Sequence, residues 1–225
     1  MDSDIKIDWP QRAKALKIDG RAVVNGKRVN AVDSSTFECF SPIDNRKLCD
    51  VTSGKSADID LAVIAARAAF NARTWAGKTP RERKQIMIKF ADLIIANREE
   101  LALLETLDMG KPITASLNVD FNSAANSLLW FCESIDKVYD EIAPTPEHTI
   151  AMITREPIGV VGAIVPWNYP MLMACWKIAP ALASGNSIEL KPSEKSPLSA
   201  LKIGDLALEA GIPAFQVGLT LHDWR

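Results

Sequence analysis

The sequence predicts an α/β protein: a parallel sheet flanked by helices, preceded by a largely helical segment. Three observations carry this. Residues 158–165 (IGVVGAIV) are a β-branched apolar run of the kind buried on both faces of a sheet, and 187–190 (SIEL) read as a second short strand. Each is followed by a helical segment, 170–184 and 197–210, so strand and helix alternate at the spacing of βαβα units. Upstream, from 56 to 138, apolar residues recur at helical period with short interruptions.

The elements follow in order. Residues 5–17 read as a short amphipathic helix. Residues 22–29 (AVVNGKRV) alternate around Asn25-Gly26, the strongest short hairpin signal. Residues 37–40 and 48–51 flank the turn-rich SPIDNR and are expected to be strands. Ser56 is the expected cap of a helix over DIDLAVIAARAAF. Thr79, Pro80 and Glu82 combine a cap, a proline at the first helical position and an acid at the third, heading a helix to about Ala96. Residues 99–107 continue as a helix stopped near Gly110-Lys111-Pro112, and one helix is expected over 113–138. Residues 148–157 (HTIAMITREP) read as extended. Gly185-Asn186 ends the helix after 158–165, and Gly211, with Pro213 beyond it, ends the last.

Composition narrows the function classes. The chain has 225 residues, 48% hydrophobic and 24% charged, which suits one globular domain or a domain with a fragment of another. The net charge is −2 and no Lys/Arg run is long, which argues against nucleic acid. The opening MDSDIKIDWP lacks a secretory apolar region, and no apolar run approaches the roughly 20 residues of a membrane span. Cys39, Cys49, Cys132 and Cys175 show no CxxC spacing and are expected to be free thiols in a reducing cytoplasm. His148 and His222 stand without metal-ligand spacing, so no metal site is expected.

Ligands of open α/β sheets sit beyond the carboxyl ends of the strands. One strand delivers Pro166-Trp167-Asn168 there, the other Lys191-Pro192-Ser193-Glu194. Adjacent parallel strands would put both loops at one rim. The two prolines stiffen the corner and present the Asn168 amide as a donor, suited to an oxygen that becomes negative in a transition state. Lysine and glutamate suit a ribose: Lys191 donates to hydroxyls, and Glu194 accepts from a vicinal diol and repels a 2′-phosphate. The alternative is structural, with Asn168 capping a helix, Trp167 filling core, and Lys191 and Glu194 a solvated pair. Neither GxGxxG nor a Walker A motif is present, and Gly159 and Gly162 are expected to serve close packing within the strand. Glu189 stands at a strand position that wants an apolar residue.

On the stretch EPIGVVGAIVPWNYPMLMACWKIAPALASGNSIELKPSEKSPLSAL, with LALLETLDMGKPI and SIDKVYDEI upstream, the sequence resembles the N-terminal portion of the aldehyde dehydrogenase superfamily, over about residues 5–213. Within it, the chain looks most like the bacterial γ-glutamyl-γ-aminobutyraldehyde dehydrogenases. The resemblance implies NAD-dependent (NADP possible) oxidation of an aldehyde, an aminoaldehyde of polyamine breakdown, to a carboxylate through a cysteine thiohemiacetal. It implies that Asn168 helps hold the oxyanion, that Ile164, Val165, Pro166 and Trp167 line the cofactor cleft, and that Lys191, with Ser193 beside it, and Glu194 bind the adenosine ribose. It implies a truncated Rossmann-like sheet, with 1–139 the N-terminal part of the cofactor domain, 140–157 a β-arm for homo-oligomerisation, 158–213 the βαβα cofactor part and 214–225 a divergent tail. The family's nucleophilic cysteine and glutamate base are expected after residue 213, where AFQVGLTLHDWR departs from the pattern. Cys175 is seven residues past Asn168 and inside a helix, so it reads as core. The 225-residue chain alone is therefore expected to be inactive, and the alternative is a non-catalytic cofactor-half fragment or an interfering oligomer subunit.

Overall fold

The computed structural model describes residues 7–213 and 217–219. Helix α1 (Trp9–Ala15) is shorter than the expected 5–17. The Asp8 carboxylate accepts from Gln11 N at 3.0 Å and caps it, and Leu16 turns to extended backbone and ends it. Residues 5 and 6 of the expected helix lie outside the described residues. Strands β1 (Ala22–Val24) and β2 (Lys27–Val29) form the expected hairpin. Asn25 (φ 50°) and Gly26 (φ 72°) supply the two positive-φ positions that its tight turn needs. Strands β3 (Thr36–Phe40) and β4 (Lys47–Thr52) pair antiparallel, with a bulge after Cys39.

Helix α2 (Ser56–Asn71) starts one residue earlier than a Ser56 cap would allow. Ser56 is its first helical residue, and the Asp58 carboxylate takes the Lys55 N–H at 2.8 Å. Aspartate at the third helical position thus holds the N–H just ahead of the helix, a different bond from the one a serine cap makes. Helix α3 (Pro80–Ala96) has the reciprocal Thr79–Glu82 box read from the sequence. Helix α4 (Arg98–Met109) ends on Gly110 at φ 78°. The single helix expected over 113–138 is broken. A turn, α5 (Ile113–Ala115), passes into a π-helical turn, Ser116–Asp120, before α6 (Phe121–Ser134). The wide turn adds a residue between α5 and α6 and leaves Asp120 buried beside Lys111, which periodicity alone does not reveal.

Strands β5 (Glu141–Ala143) and β6 (Ala151–Ile153) form an exposed antiparallel hairpin inside 140–157. Strand β7 (Val160–Ile164), helix α7 (Pro170–Ala183), strand β8 (Ser187–Lys191) and helix α8 (Leu198–Ala210) are the expected βαβα run, and β9 (Val217–Leu219) follows. The sheet order is β2-β1-β9-β8-β7, with β7, β8 and β9 parallel and β1 antiparallel to β9. A strand therefore lies within the segment set apart as a divergent tail. Ile188 and Leu190 join the main core with Met171, Ile178, Leu201 and Ile203 of α7 and α8. Helix α2, its Ala62, Ala66 and Ala69 buried outside that cluster, packs on β7 and β8 from the other side. Trp75, fully buried, closes the corner by donating from Nε1 to Leu182 O at 2.9 Å. Of the two glycines expected to allow close packing, Gly159 does so. A Cβ there would meet the Arg67 guanidinium at 2.5 Å, and its φ is +121°. Gly162 has open space on its Cβ side and serves no such contact.

Candidate functional site

The two rim loops are neighbours. Ile164 and Lys191 are partners in the parallel β7–β8 register, and Val165 N donates to Lys191 O at 3.1 Å, so both strands end side by side. The loops are then tied to each other, since Ser196 Oγ donates to Trp167 O at 3.1 Å.

Four side chains that the sequence reading did not single out hold this rim, all from the ETLDMGKP run or just after it. Glu105 Oε1 accepts from Met171 N at 2.9 Å in the first turn of α7. One helical turn further on, Asp108 Oδ2 accepts from Leu198 N at 2.8 Å at the start of α8. Two carboxylates on one face of α4 thus each take an orphan N–H at the start of the helix following a rim loop. Both are buried, and burial pushes each up to about 7 against the opposing pull of the N–H it accepts. Lys111 Nζ donates to Asn168 O at 3.2 Å, lies 4.0 Å from the centroid of the Tyr169 ring, and is ion-paired and hydrogen-bonded to the buried Asp120. The signal was present in the sequence: two acids three apart among leucines, on a face that should be apolar.

The structural alternatives for the corner do not hold. Asn168 does not cap α7, whose Met171 N–H goes to Glu105. Trp167 is 50% exposed and is not core. Asn168 is exposed, and its side-chain amide has no protein partner among the described residues. Lys191 Nζ donates to Pro192 O at 3.3 Å and lies 4.0 Å from Glu194 Oε2. That leaves donor capacity on the ammonium, and the Glu194 carboxylate is more than half exposed. Ser193 Oγ donates to Glu194 Oε2 at 3.5 Å, so Lys191 and Glu194 stand as the loop pair of the structural alternative, and each keeps capacity for a further hydrogen bond. Ser193 is buried, and its Oγ accepts from Lys195 N at 3.2 Å, so it shapes the loop.

The eight predicted residues do not share one cavity. Trp167 and Glu194 line one of about 360 Å³ with Cys39 and Asp108, whereas Ile164 lines another of about 550 Å³ against Trp176. Val165 faces the core, so only its backbone reaches the rim. Of the four free cysteines, Cys39 lines the cavity beside Trp167, and it is buried. Cys175 is wholly buried, and burial pushes its thiol up to about 12.

The family model described as "Aldehyde dehydrogenase family" matches residues 29–219, six residues past the Pro213 at which the resemblance was expected to stop. The NADP/NAD-dependent aldehyde dehydrogenase PuuC of Escherichia coli (strain K12) is 52% identical over 205 residues, covering 91% of this chain and 41% of that protein. Among solved structures, the γ-glutamyl-γ-aminobutyraldehyde dehydrogenase of Burkholderia cenocepacia J2315 superposes with a TM-score of 0.94 at 51% identity, covering 96% of this chain and 44% of that one. An indole-3-acetaldehyde dehydrogenase solved with NAD+ superposes equally well, at 0.94 and 54% identity, covering 96% and 43%. The chain thus spans about two-fifths of the length of the curated relatives it matches.

Proposed function

The chain belongs to the aldehyde dehydrogenase family, and on that footing we propose that it supplies the cofactor rim for oxidation of an aldehyde, of the aminoaldehyde class, to a carboxylate with NAD or NADP. The observation that carries this reading is the pairing of Ile164 with Lys191, with Ser196 tied to Trp167, which puts the Asn168 amide and the lysine–glutamate pair on neighbouring loops. NAD, when bound, accepts the hydride. Lys191 donates to the adenosine ribose hydroxyls, and Glu194 accepts from them. A 2′-phosphate would meet the Glu194 charge, which favours NAD. Trp167 and the exposed parts of 164–166 flank the cleft. The Asn168 amide donates to the carbonyl oxygen as it becomes an oxyanion, and Lys111 keeps that corner in place through the Asn168 carbonyl.

These residues bind and orient. They carry no thiol: Cys132 and Cys175 are buried with thiols pushed up to about 12, chiefly by burial, the Cys39 thiol is pushed up too, and Cys49 faces Cys39 in the β3–β4 ladder. The 225 residues alone are therefore expected to oxidise no aldehyde above a protein-free control.

Titration calorimetry with NAD tests the assignment. Weak binding is expected, with Kd above about 10 μM. Lys191→Ala and Glu194→Ala are expected to abolish it, and Asn168→Ala to leave it unchanged. Equal binding by all four proteins would remove the assigned roles. A second reading, a subunit that joins longer relatives without catalysis, is favoured by the β5–β6 hairpin. It exposes Ile142, Ile150 and Met152, each over 70%. Co-expression with a longer relative and pull-down tests it; failure to co-purify removes it.

A further inference from the structure

The β3–β4 pair carries two thiols that the cofactor rim does not use. Cys39 and Cys49 are directly opposite in the antiparallel register, and both are free. Residues so placed have Cα atoms about 4.5–5.5 Å apart, inside the span a disulfide bridges without backbone movement. The ladder shifts register just after Cys39, which gives that position local freedom. The two differ in access: Cys39 is 5% exposed, while Cys49 is half-buried. They differ in acidity too. Contact with Cys49, burial and the Asp108 carboxylate push the Cys39 thiol up, while the hydrogen bond from Cys39 draws Cys49 down. The Cys39 thiol donates to Asp108 Oδ1 at 3.1 Å. Of the two sulfurs, Cys49 is the more accessible and the readier thiolate.

We propose that Cys39 and Cys49 form a vicinal dithiol that peroxide-class oxidants convert into a cross-strand disulfide. The Cys49 thiolate attacks one peroxide oxygen, the O–O bond breaks, and Cys49 becomes a sulfenic acid as hydroxide leaves. The Cys39 sulfur then attacks that sulfenic sulfur. The S–S bond forms, and the sulfenic OH leaves with the Cys39 proton as water, while the hydroxide of the first step takes up the proton that Cys49 lost on ionising. In sum, two thiols and one hydrogen peroxide give one disulfide and two waters, and a dithiol reductant reverses it. Oxidation also removes the S–H donor from Asp108, whose other oxygen holds the start of α8. The thiol state of β3–β4 is thereby linked to the loop carrying Lys191 and Glu194.

The test uses the full chain, titrated with hydrogen peroxide, alkylated after denaturation and mapped by mass spectrometry. Trypsin cuts after Arg46 and Lys47, which puts the two cysteines on separate peptides, so a bridge is seen directly. The expected result is joint loss of alkylation at Cys39 and Cys49, a bridged peptide pair within one chain, and full recovery with dithiothreitol, while Cys132 and Cys175 stay alkylatable. Cys39→Ser is expected to leave Cys49 as a dimedone-trapped sulfenic acid. Phenylarsine oxide, which bridges paired thiols, is expected to bind the wild-type chain at one equivalent and neither single serine variant. Oxidation of Cys49 without loss of Cys39, a bridge only between chains, or equal oxidation of Cys132 would overturn the proposal. None of these readouts depends on cofactor binding or aldehyde turnover.

Discussion

Glu189 is the residue that fits its surroundings worst. It lies on β8 between the buried Ile188 and Leu190, and by strand alternation points to the opposite face from both. Its Oε2 is buried without a partner among the described residues, and burial raises its pKa to about 8. In the unfolded chain the group ionises near its ordinary 4.5. Between those values unfolding releases a proton, so stability is full below the lower one and falls as pH rises towards the upper, at up to about 1.4 kcal/mol per pH unit. Glu105 and Asp108, raised to about 7, act in the same direction. Urea midpoints are expected to be lower near about pH 8 than near about pH 5. Glu189→Gln should flatten part of that slope, and an unchanged slope would count against a buried Glu189. Lys111 is the opposite case, a half-buried cation that partners the buried Asp120. Lys111→Met leaves Asp120 buried and unpaired, which is expected to cost about 3–5 kcal/mol in urea unfolding. Adding Asp120→Asn should recover much of that loss, and a strictly additive double variant would show that the pair is not coupled.

At the scale of elements, ends were legible where the signal is local. Thr79-Pro80-Arg81-Glu82 and Asn25-Gly26 carry their own hydrogen-bond partners or backbone conformations within four residues, and both formed as read. The start of α2 was misplaced by one position because two polar residues compete for it, and the aspartate a turn later won. The starts of α7 and α8 were beyond local reading, because their acceptors, Glu105 and Asp108, are 66 and 90 residues away in sequence. Asp108→Ala should leave the Leu198 N–H unmet and cost about 1–3 kcal/mol, with faster amide exchange at Leu198. Asp108→Asn, which keeps an acceptor oxygen, should lose less. Equal losses would mean that the carboxylate holds α8 by something other than that bond.

Across the whole molecule, the main core joins α3, α4, α6, α7 and α8 to the sheet, and the apolar side chains left outside it include a group on the β5–β6 hairpin and another at β7. Ile142 and Met152 are directly opposite in the hairpin and both exposed. A flat apolar pair of this kind is a template for another chain. Light scattering is expected to give a smaller species for Ile142→Lys with Met152→Lys than for the wild-type chain. Equal masses would remove 140–157 as an oligomer arm. Strand β7 is an edge of the sheet, with Ile158 exposed just before it and Ile164 exposed at its end, so the rim loop after it stands at a border of the sheet.

The sequence by itself determined the alternation of strand and helix, the hairpin turn, the helix stops at Gly110 and Gly211, and which two loops reach the rim. Each depends on backbone preference or apolar period over a few residues. Tertiary structure alone decided what holds those loops. Glu105, Asp108, Lys111 and Asp120 act across dozens of residues of chain. In sequence they are charges interrupting an apolar helix, and only folding brings each to the group whose hydrogen bond or charge offsets its burial.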